Sequence, residues 1–288
     1  MTRTTALVTP SHRKDIERFA LLCDSIDRFV TGHEFHYVIV NDDDLSAFHH
    51  FNKANRVVLP SSRFLPRWLK LVPPILSRSG RRVWWSFRSG PVHGWHIQQL
   101  LKIEAALQLP EQRFCMIDSD NVFVREFNIA AYAGGDQTPL YVDPSAISAD
   151  APLHAVWTRN CDQLLGQDMT QFPADDYIGN VIVWDKNAVR DMTLTIERVT
   201  RKSWPAALCR TRSFSEYLLY GHFVRHSRHS ETHVVTAGGP ASAYWDKAPL
   251  TLAELKRMIA ALPPFKVALC IESFSRTPVS LIRDVAGL

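Results

Sequence analysis

Phe114-Cys115-Met116-Ile117-Asp118-Ser119-Asp120 is the stretch on which the fold turns. Four consecutive apolar residues make a buried strand, and two carboxylates at i and i+2 follow at its C-terminal end. Both can reach one hard cation, because Mg²⁺ and Mn²⁺ prefer oxygen ligands and leave positions for water or substrate phosphate. A departing diphosphate needs such a cation to neutralise its charge. The same triplet also occurs as a solvated turn closed by an Asx hydrogen bond. Its surroundings decide between the two.

Toward the N-terminus the pattern alternates between strand and helix. Thr5–Thr9 reads as a short buried strand closed by Pro10-Ser11. Ile16, Phe19, Cys23, Ile26 and Phe29 then recur at three- and four-residue spacing, which predicts an amphipathic helix capped by Ser11 or Asp15. His36-Tyr37-Val38-Ile39-Val40 is a second strand, ending in Asn41-Asp42-Asp43-Asp44. Strand, helix and strand make a right-handed βαβ unit with a parallel pair. Pro60, Pro66, Pro73, Pro74 and Pro91 break the next stretch into short helices and loops, and helical periodicity returns from Trp95 to Leu109.

Downstream, strands are expected at Leu140–Val142, Asn180–Trp184 and Thr232–Thr236. Helices are expected near Val156–Leu165, from Asn187 through Val199, from Ser213 or Ser215 through Phe223, and over Leu252–Leu262. The alternation argues for an α/β fold with an open, Rossmann-like, mostly parallel sheet. In such sheets ligands bind beyond the carboxyl ends of the strands. Thr9-Pro10-Ser11, Asn41-Asp42 and Asp118-Ser119-Asp120 are three strand ends that converge there.

The bulk composition excludes several classes. The chain has 288 residues, 46% hydrophobic and 22% charged, which suits a globular core rather than disorder. No run approaches the roughly 18 apolar residues of a membrane span, and no secretory leader is evident. A cytoplasmic address is expected. Five scattered cysteines without a C-x-x-C pair suggest neither a disulfide framework nor a zinc site. Net charge is +4, yet no Asp or Glu occurs from Leu45 to Ile103. That stretch carries Arg63, Arg67, Lys70, Arg78, Arg81, Arg82, Arg88 and Lys102 among Phe64, Trp68, Trp84, Trp85 and Trp95. Basic residues mixed with tryptophan suit peripheral contact with an anionic membrane, here its inner face, or with an acidic glycan. They equally suit plain packing in a loop-rich lobe. No nucleic-acid module is present, so nucleic acid is not an expected partner.

Gly94-Trp95-His96-Ile97-Gln98-Gln99-Leu100-Leu101-Lys102, the Asp118-Ser119-Asp120 triplet, Tyr177-Ile178-Gly179-Asn180 with Trp184, and Ser215-Glu216-Tyr217 with Tyr220-Gly221 occur in that order. Together they resemble the motifs of a bacterial family of GT-A-like glycosyltransferases, from Thr5 to about Trp245. The resemblance implies a nucleotide-sugar-binding subdomain over residues 1–125, continuous with a fused acceptor-binding subdomain over 126–288. It also implies sugar transfer from a nucleotide-sugar donor to a glycan or lipid-linked acceptor, with Asp118 and Asp120 holding Mn²⁺ or Mg²⁺. Within that frame Thr9, Ser11, Asn41 and Asp42 are candidate nucleoside contacts, although each also fits a turn or cap. Gln98 and Lys102 share one helix face, either as donor contacts or as its solvated side. Asp118 and Asn180 are further candidate donor contacts. Glu216 is the first choice for catalysis and Asp176 its competitor, while Ser215 and Tyr220 would meet the acceptor. Ser215 and Glu216 also fit a helix cap. GT-A enzymes often add a late His or Asp to the metal shell. His222, His226, His229 and His233 lie in that region without one standing out, so no third ligand is assigned.

Two rivals remain. A haloacid-dehalogenase-type phosphatase also places Asp-x-Asp after an apolar strand, with the first Asp as nucleophile. That motif normally lies on the fold's first strand, however, whereas two strands precede Asp118 here. A nucleotide-sugar-binding protein without turnover is the non-enzyme alternative.

Overall fold

The structure is a computed structural model that describes residues 4–73, 82–133 and 135–288. Pro74, Arg78 and Arg81 lie outside the described residues.

The chain is an α/β protein built on a five-stranded sheet in the order Ile182–Asp185, Arg113–Met116, Thr5–Ser11, His36–Val40, Arg56–Pro60. All neighbours are parallel except the Ile182–Asp185 strand, which runs antiparallel to Arg113–Met116. The sheet is mostly parallel and Rossmann-like. Val8 sits opposite both Met116 and Tyr37, so the triplet-bearing strand is next to the first strand.

Its central strands are apolar without alternation because both faces are buried. Ala6, Val8, Phe114 and Met116 pack into one core with Ile97 and Leu100 of the Gly94–Gln108 helix. Leu7, Cys115 and Ile117 pack into the other with Phe19, Leu22 and Ile26 of the Ile16–Phe29 helix. The pleat's two-residue period sorts adjacent side chains into opposite layers. A third core forms at the C-terminal end, where Leu255, Leu269, Ile271 and Ile282 join. There the Leu252–Ala261 helix opens with a Thr251–Glu254 capping box.

Several expected details differ. The region from Lys70 to His93 contains strands Lys70–Leu71, Val83–Ser86 and Ser89–His93 in an antiparallel sheet, not only short helices and loops. Apart from Phe87, which is 94% exposed, its aromatics are at least partly covered, and Trp84 is buried. The Arg56–Pro60 strand is additional to those expected; Arg56 is buried there and pairs with Asp27 at 2.7 Å. Neither Ser11 nor Asp15 caps the first helix through its side chain; Asp15 pairs with His12 at 3.0 Å. Ser215 occupies the N-cap of the Glu216–Arg225 helix but makes no side-chain cap bond. Gln99 Oε1 instead accepts the Glu216 N–H at 3.0 Å. Among the described residues no helix is long and apolar enough to cross a membrane.

Gly221 shows that two of the family-like motifs also serve packing. A Cβ there would lie 2.1 Å from the Tyr177 ring, so only hydrogen lets the ring seat against the Glu216–Arg225 helix. Gly221→Ala should therefore destabilise the fold by about 1–3 kcal/mol through overpacking. A urea-denaturation midpoint equal to wild type would refute this contact.

Candidate functional site

A cleft of about 720 Å³ opens where Asp118-Ser119-Asp120 leaves its strand. A second lobe of about 750 Å³ reaches the end of the His36–Val40 strand. Pro10, His12, Trp95 and Gln98 line both lobes, so the two adjoin across these residues.

The triplet is held by backbone and short side chains. Ile117 N–H bonds to Val8 carbonyl at 3.0 Å, and Ser119 Oγ donates to Ser11 Oγ at 2.9 Å. Asn121 is buried, and its amide donates to the Asp118 carbonyl at 3.0 Å and to Asn180 Oδ1 at 3.3 Å. Asn180 lines the cleft, and the next residue, Val181, is buried at φ 60°. A β-branched residue at positive φ is strained. That strain accompanies a backbone that keeps Val181 in the core and Asn180 on the cleft wall.

Lys102 is the site's buried cation. Its ammonium lies 2.9 Å from both Asp118 and Glu216 and donates to the Tyr217 hydroxyl at 2.9 Å. Burial alone would lower its pKa, but Asp118 and Glu216 together hold it well above the ordinary lysine value. Only 4% of its side chain is exposed, so Lys102 is not part of a solvated helix face. Glu216 shares this burial, and Asp118 is the more open carboxylate. Gln99, one residue after Gln98, lines the cleft as well, with a buried amide nitrogen that has no hydrogen-bond partner among the described residues.

Asp120 faces a different group. Its carboxylate lies with Cys270 Sγ and Glu272 in a cluster whose ligand atoms are all within 4.8 Å of one another. The Ala268–Ile271 strand delivers it: Ile271 N–H bonds to the Asp120 carbonyl at 3.0 Å, and Cys270 pairs with Asn121 across the antiparallel ladder. Burial, then the neighbouring Asp118, push the Asp120 carboxyl up to about 6. Burial, then Asp120, push Glu272 up to about 8. Burial also holds the Cys270 thiol well above its usual value, so it stays protonated. Crowded carboxylates beside a neutral thiol are an oxygen donor set, which fits a hard divalent cation rather than a thiolate-bound one.

The structure distributes the sequence-predicted residues as follows. Asp118, Asp120, Gln98, Lys102, Asn180, Asp176, Ser215 and Glu216 all line the cleft, and Ser11 and Asn41 line the adjoining lobe. Thr9 does not reach either; it is buried and bonds His36 Nε2 at 2.9 Å. Asp42 lines neither lobe, and its carboxylate accepts the Ser62 N–H at 3.2 Å. Tyr220 is turned into the core, where its oxygen accepts the Asp185 N–H at 2.9 Å and meets His233 at 2.7 Å. Of the late histidines, His222 faces Asp162, His229 faces Asp191 and His233 faces Tyr220; none lines the cleft. The late acidic residue beside the triplet is Glu272. Its only sequence signal is its place directly after the Ala-Leu-Cys-Ile strand. Asp43 and Asp44 also line the second lobe, and Asp44 is clamped by Arg82 at 2.7 Å.

Residues 3–255 match the family of unknown function DUF6492. Among curated proteins none matches the chain significantly.

The acid cluster gives a signed expectation. Raised folded-state carboxyl values contribute stability that is complete below the unfolded value, about 4, and lost as pH rises through the folded values. Without divalent cation, the melting temperature should fall as pH rises through about 6 and about 8. Mn²⁺ should oppose that fall, and Glu272→Gln should remove much of it. A cation-independent profile with the same slope in Glu272→Gln would contradict the cluster.

Proposed function

We propose that this chain, which belongs to the DUF6492 family, is a metal-dependent glycosyltransferase of the GT-A kind that uses a nucleotide-sugar donor. The observation that carries the reading is the placement of Asp120 and Glu272, with Asp118 beside them, beyond the carboxyl end of a central parallel strand. Crowded, partly protonated carboxyls suit a cation better than water, and open parallel sheets bind their ligands at that end. Asp118, Asp120 and Glu272 are the residues that would hold Mn²⁺ or Mg²⁺. Such a cation neutralises the charge of a departing diphosphate.

The remaining roles follow from the chain's own geometry. The second lobe, lined by Asn41, Asp43 and Gln98, suits the nucleoside, with amide and carboxylate groups for ribose and base. Asn180 and Gln99 present amides to the donor sugar. Asp176 suits the proton-accepting role toward an acceptor hydroxyl. Burial raises its pKa, it lines the cleft, and His154 stands 3.4 Å away. Glu216 is committed to Lys102, which suits orientation of the Asp118 turn rather than proton transfer. Ser215 lies on the same wall.

One observation favours the phosphatase alternative: Lys102 sits 2.9 Å from Asp118, where a nucleophilic carboxylate would gain a cation. The two readings predict different ligands. A thermal-shift panel of nucleotide sugars with Mn²⁺ or with EDTA separates them, since saturation at a hundred times Kd stabilises by about 2.7 kcal/mol. A Mn²⁺-dependent shift with one base is expected, abolished by Asp120→Ala and by Glu272→Ala in folded protein. A flat panel with hydrolysis of phosphate esters would overturn the transferase.

Peripheral membrane contact forms part of the proposal. Trp85 and Phe87 meet edge-to-face at 4.5 Å at the Val83–His93 hairpin, 40% and 94% exposed. Lys70 is paired with Trp85 across the strands, and Arg88 lies over Trp68 at 5.9 Å. Aromatic rings flanked by cations suit the headgroup region of an anionic membrane. Sedimentation with phosphatidylserine vesicles should occur at low salt, weaken at high salt, and fall in Phe87→Ala. Absence of binding at low salt would remove the membrane contact.

A further inference from the structure

One wall of the same cleft is aromatic. Trp95, at the start of the Gly94–Gln108 helix, stacks on Trp157 of the Pro152–Leu165 helix with centroids 5.3 Å apart and planes 26° apart. Trp157 stacks in turn on His154 at 5.0 Å and 22°. The column is held at its middle ring and at its His154 end. Trp157 Nε1–H donates to Ser213 Oγ at 2.8 Å, and His154 Nδ1 lies 3.4 Å from Asp176 Oδ2. Three rings from two helices thus form one rigid surface that runs down to a half-buried carboxylate. Trp95 is 47% exposed, and all of these groups except Ser213 line the cleft.

A surface of this kind has a matching ligand. One face of a pyranose ring presents C–H groups, which pack against an indole, while its edge presents hydroxyls that need acceptors. An aromatic ring with few torsions loses little entropy on ordering, so a pre-stacked column binds without reorganisation. Asp176 and Asp143 stand at the foot of the wall as hydroxyl acceptors. Both are acidic, so a uronate or phosphorylated sugar there would meet like charge. A nucleobase stacked on Trp95 would belong to the adjoining lobe, where Arg13, Lys14 and Arg82 would meet its phosphates; the side with Asp176 and Asp143 offers carboxylates instead.

We propose that the Trp95–Trp157–His154 column with Asp176 is the acceptor subsite, and that the acceptor ends in an uncharged pyranose stacked on Trp95. The inference rests on the transferase reading for its meaning, yet binding at the column is measurable by itself. In the enzyme this places the acceptor hydroxyl beside Asp176 and the donor beside Asn180, on walls of one cleft.

The test begins with the full chain on an array of uncharged and uronate-containing oligosaccharides, in Mn²⁺ buffer. The strongest uncharged binder is then titrated calorimetrically. Wild type should bind uncharged pyranose glycans, and Trp95→Ala should weaken binding about tenfold or more. Trp95→Phe, which keeps a ring, should restore most of it, and Trp157→Ala, at a residue that lines only the first lobe, should weaken glycan binding while the Mn²⁺-dependent nucleotide shift persists. Binding to uronate glycans alone, no uncharged binder, or equal affinity in Trp95→Ala would overturn the subsite. Loss of the nucleotide shift with unchanged glycan binding would also overturn it, by assigning Trp95 to the donor. Glycan binding with a flat nucleotide panel would sustain the subsite and sink the transferase.

Discussion

One buried ammonium, that of Lys102, organises the site. It comes from the middle of the Gly94–Gln108 helix and reaches the Asp118 turn and the first residue of the Glu216–Arg225 helix. Burying the Lys102 ammonium and the Glu216 carboxylate is costly, and the cost is offset only while they stay paired, with the more open Asp118 as the second partner. The Tyr217 hydroxyl and ring add two further contacts to the same ammonium. Gln99, its neighbour on the helix, bonds the Glu216 backbone. Two helices and one strand end are thereby fixed relative to one another around the cleft floor. A shift of any of them would leave an uncompensated charge in the interior.

The acid cluster is the opposite kind of arrangement. Asp120 and Glu272 repel when ionised, and no cation of the chain sits between them among the described residues of the cluster. Strand pairing holds them together. The Ala268–Ile271 strand is hydrogen-bonded to the segment after the triplet and, on its other side, to Ala241–Tyr244. Backbone geometry therefore imposes a proximity that the side chains would not choose, and burial pushes both carboxyls toward their neutral forms. Strain of this sort at a site is relieved by whatever brings positive charge.

The two charge systems meet at Asp118, and the same cleft also holds an aromatic column. Trp95 lines both lobes and heads a stacked column that ends on Asp176. The acid cluster and the aromatic column thus line one cleft.

The apolar run before Asp118 and the period of the Ile16–Phe29 and Gly94–Gln108 helices were readable because burial on both faces, or on one stripe, writes itself into local order. The same local signals placed the triplet at a strand end. What they could not carry is direction and distance. Thr9, Asp42 and Tyr220 are polar residues at plausible addresses, yet one bonds His36 inside the sheet, one caps Ser62 and one sits against His233. Lys102 reads from sequence either as a donor contact or as a solvated lysine, and the Glu216–Arg225 helix and the Asp118 turn close over it. Glu272 joins Asp120 only through an antiparallel pairing between segments far apart in the chain, and Trp95 meets Trp157 only by the packing of two helices. The sequence by itself determined the central strands, the long amphipathic helices and that acids follow a buried strand, since those are local matters of period and burial. Tertiary structure alone decided which charges are paired, which acids are crowded and which aromatics stack, because each of those depends on contacts between residues that no local pattern relates.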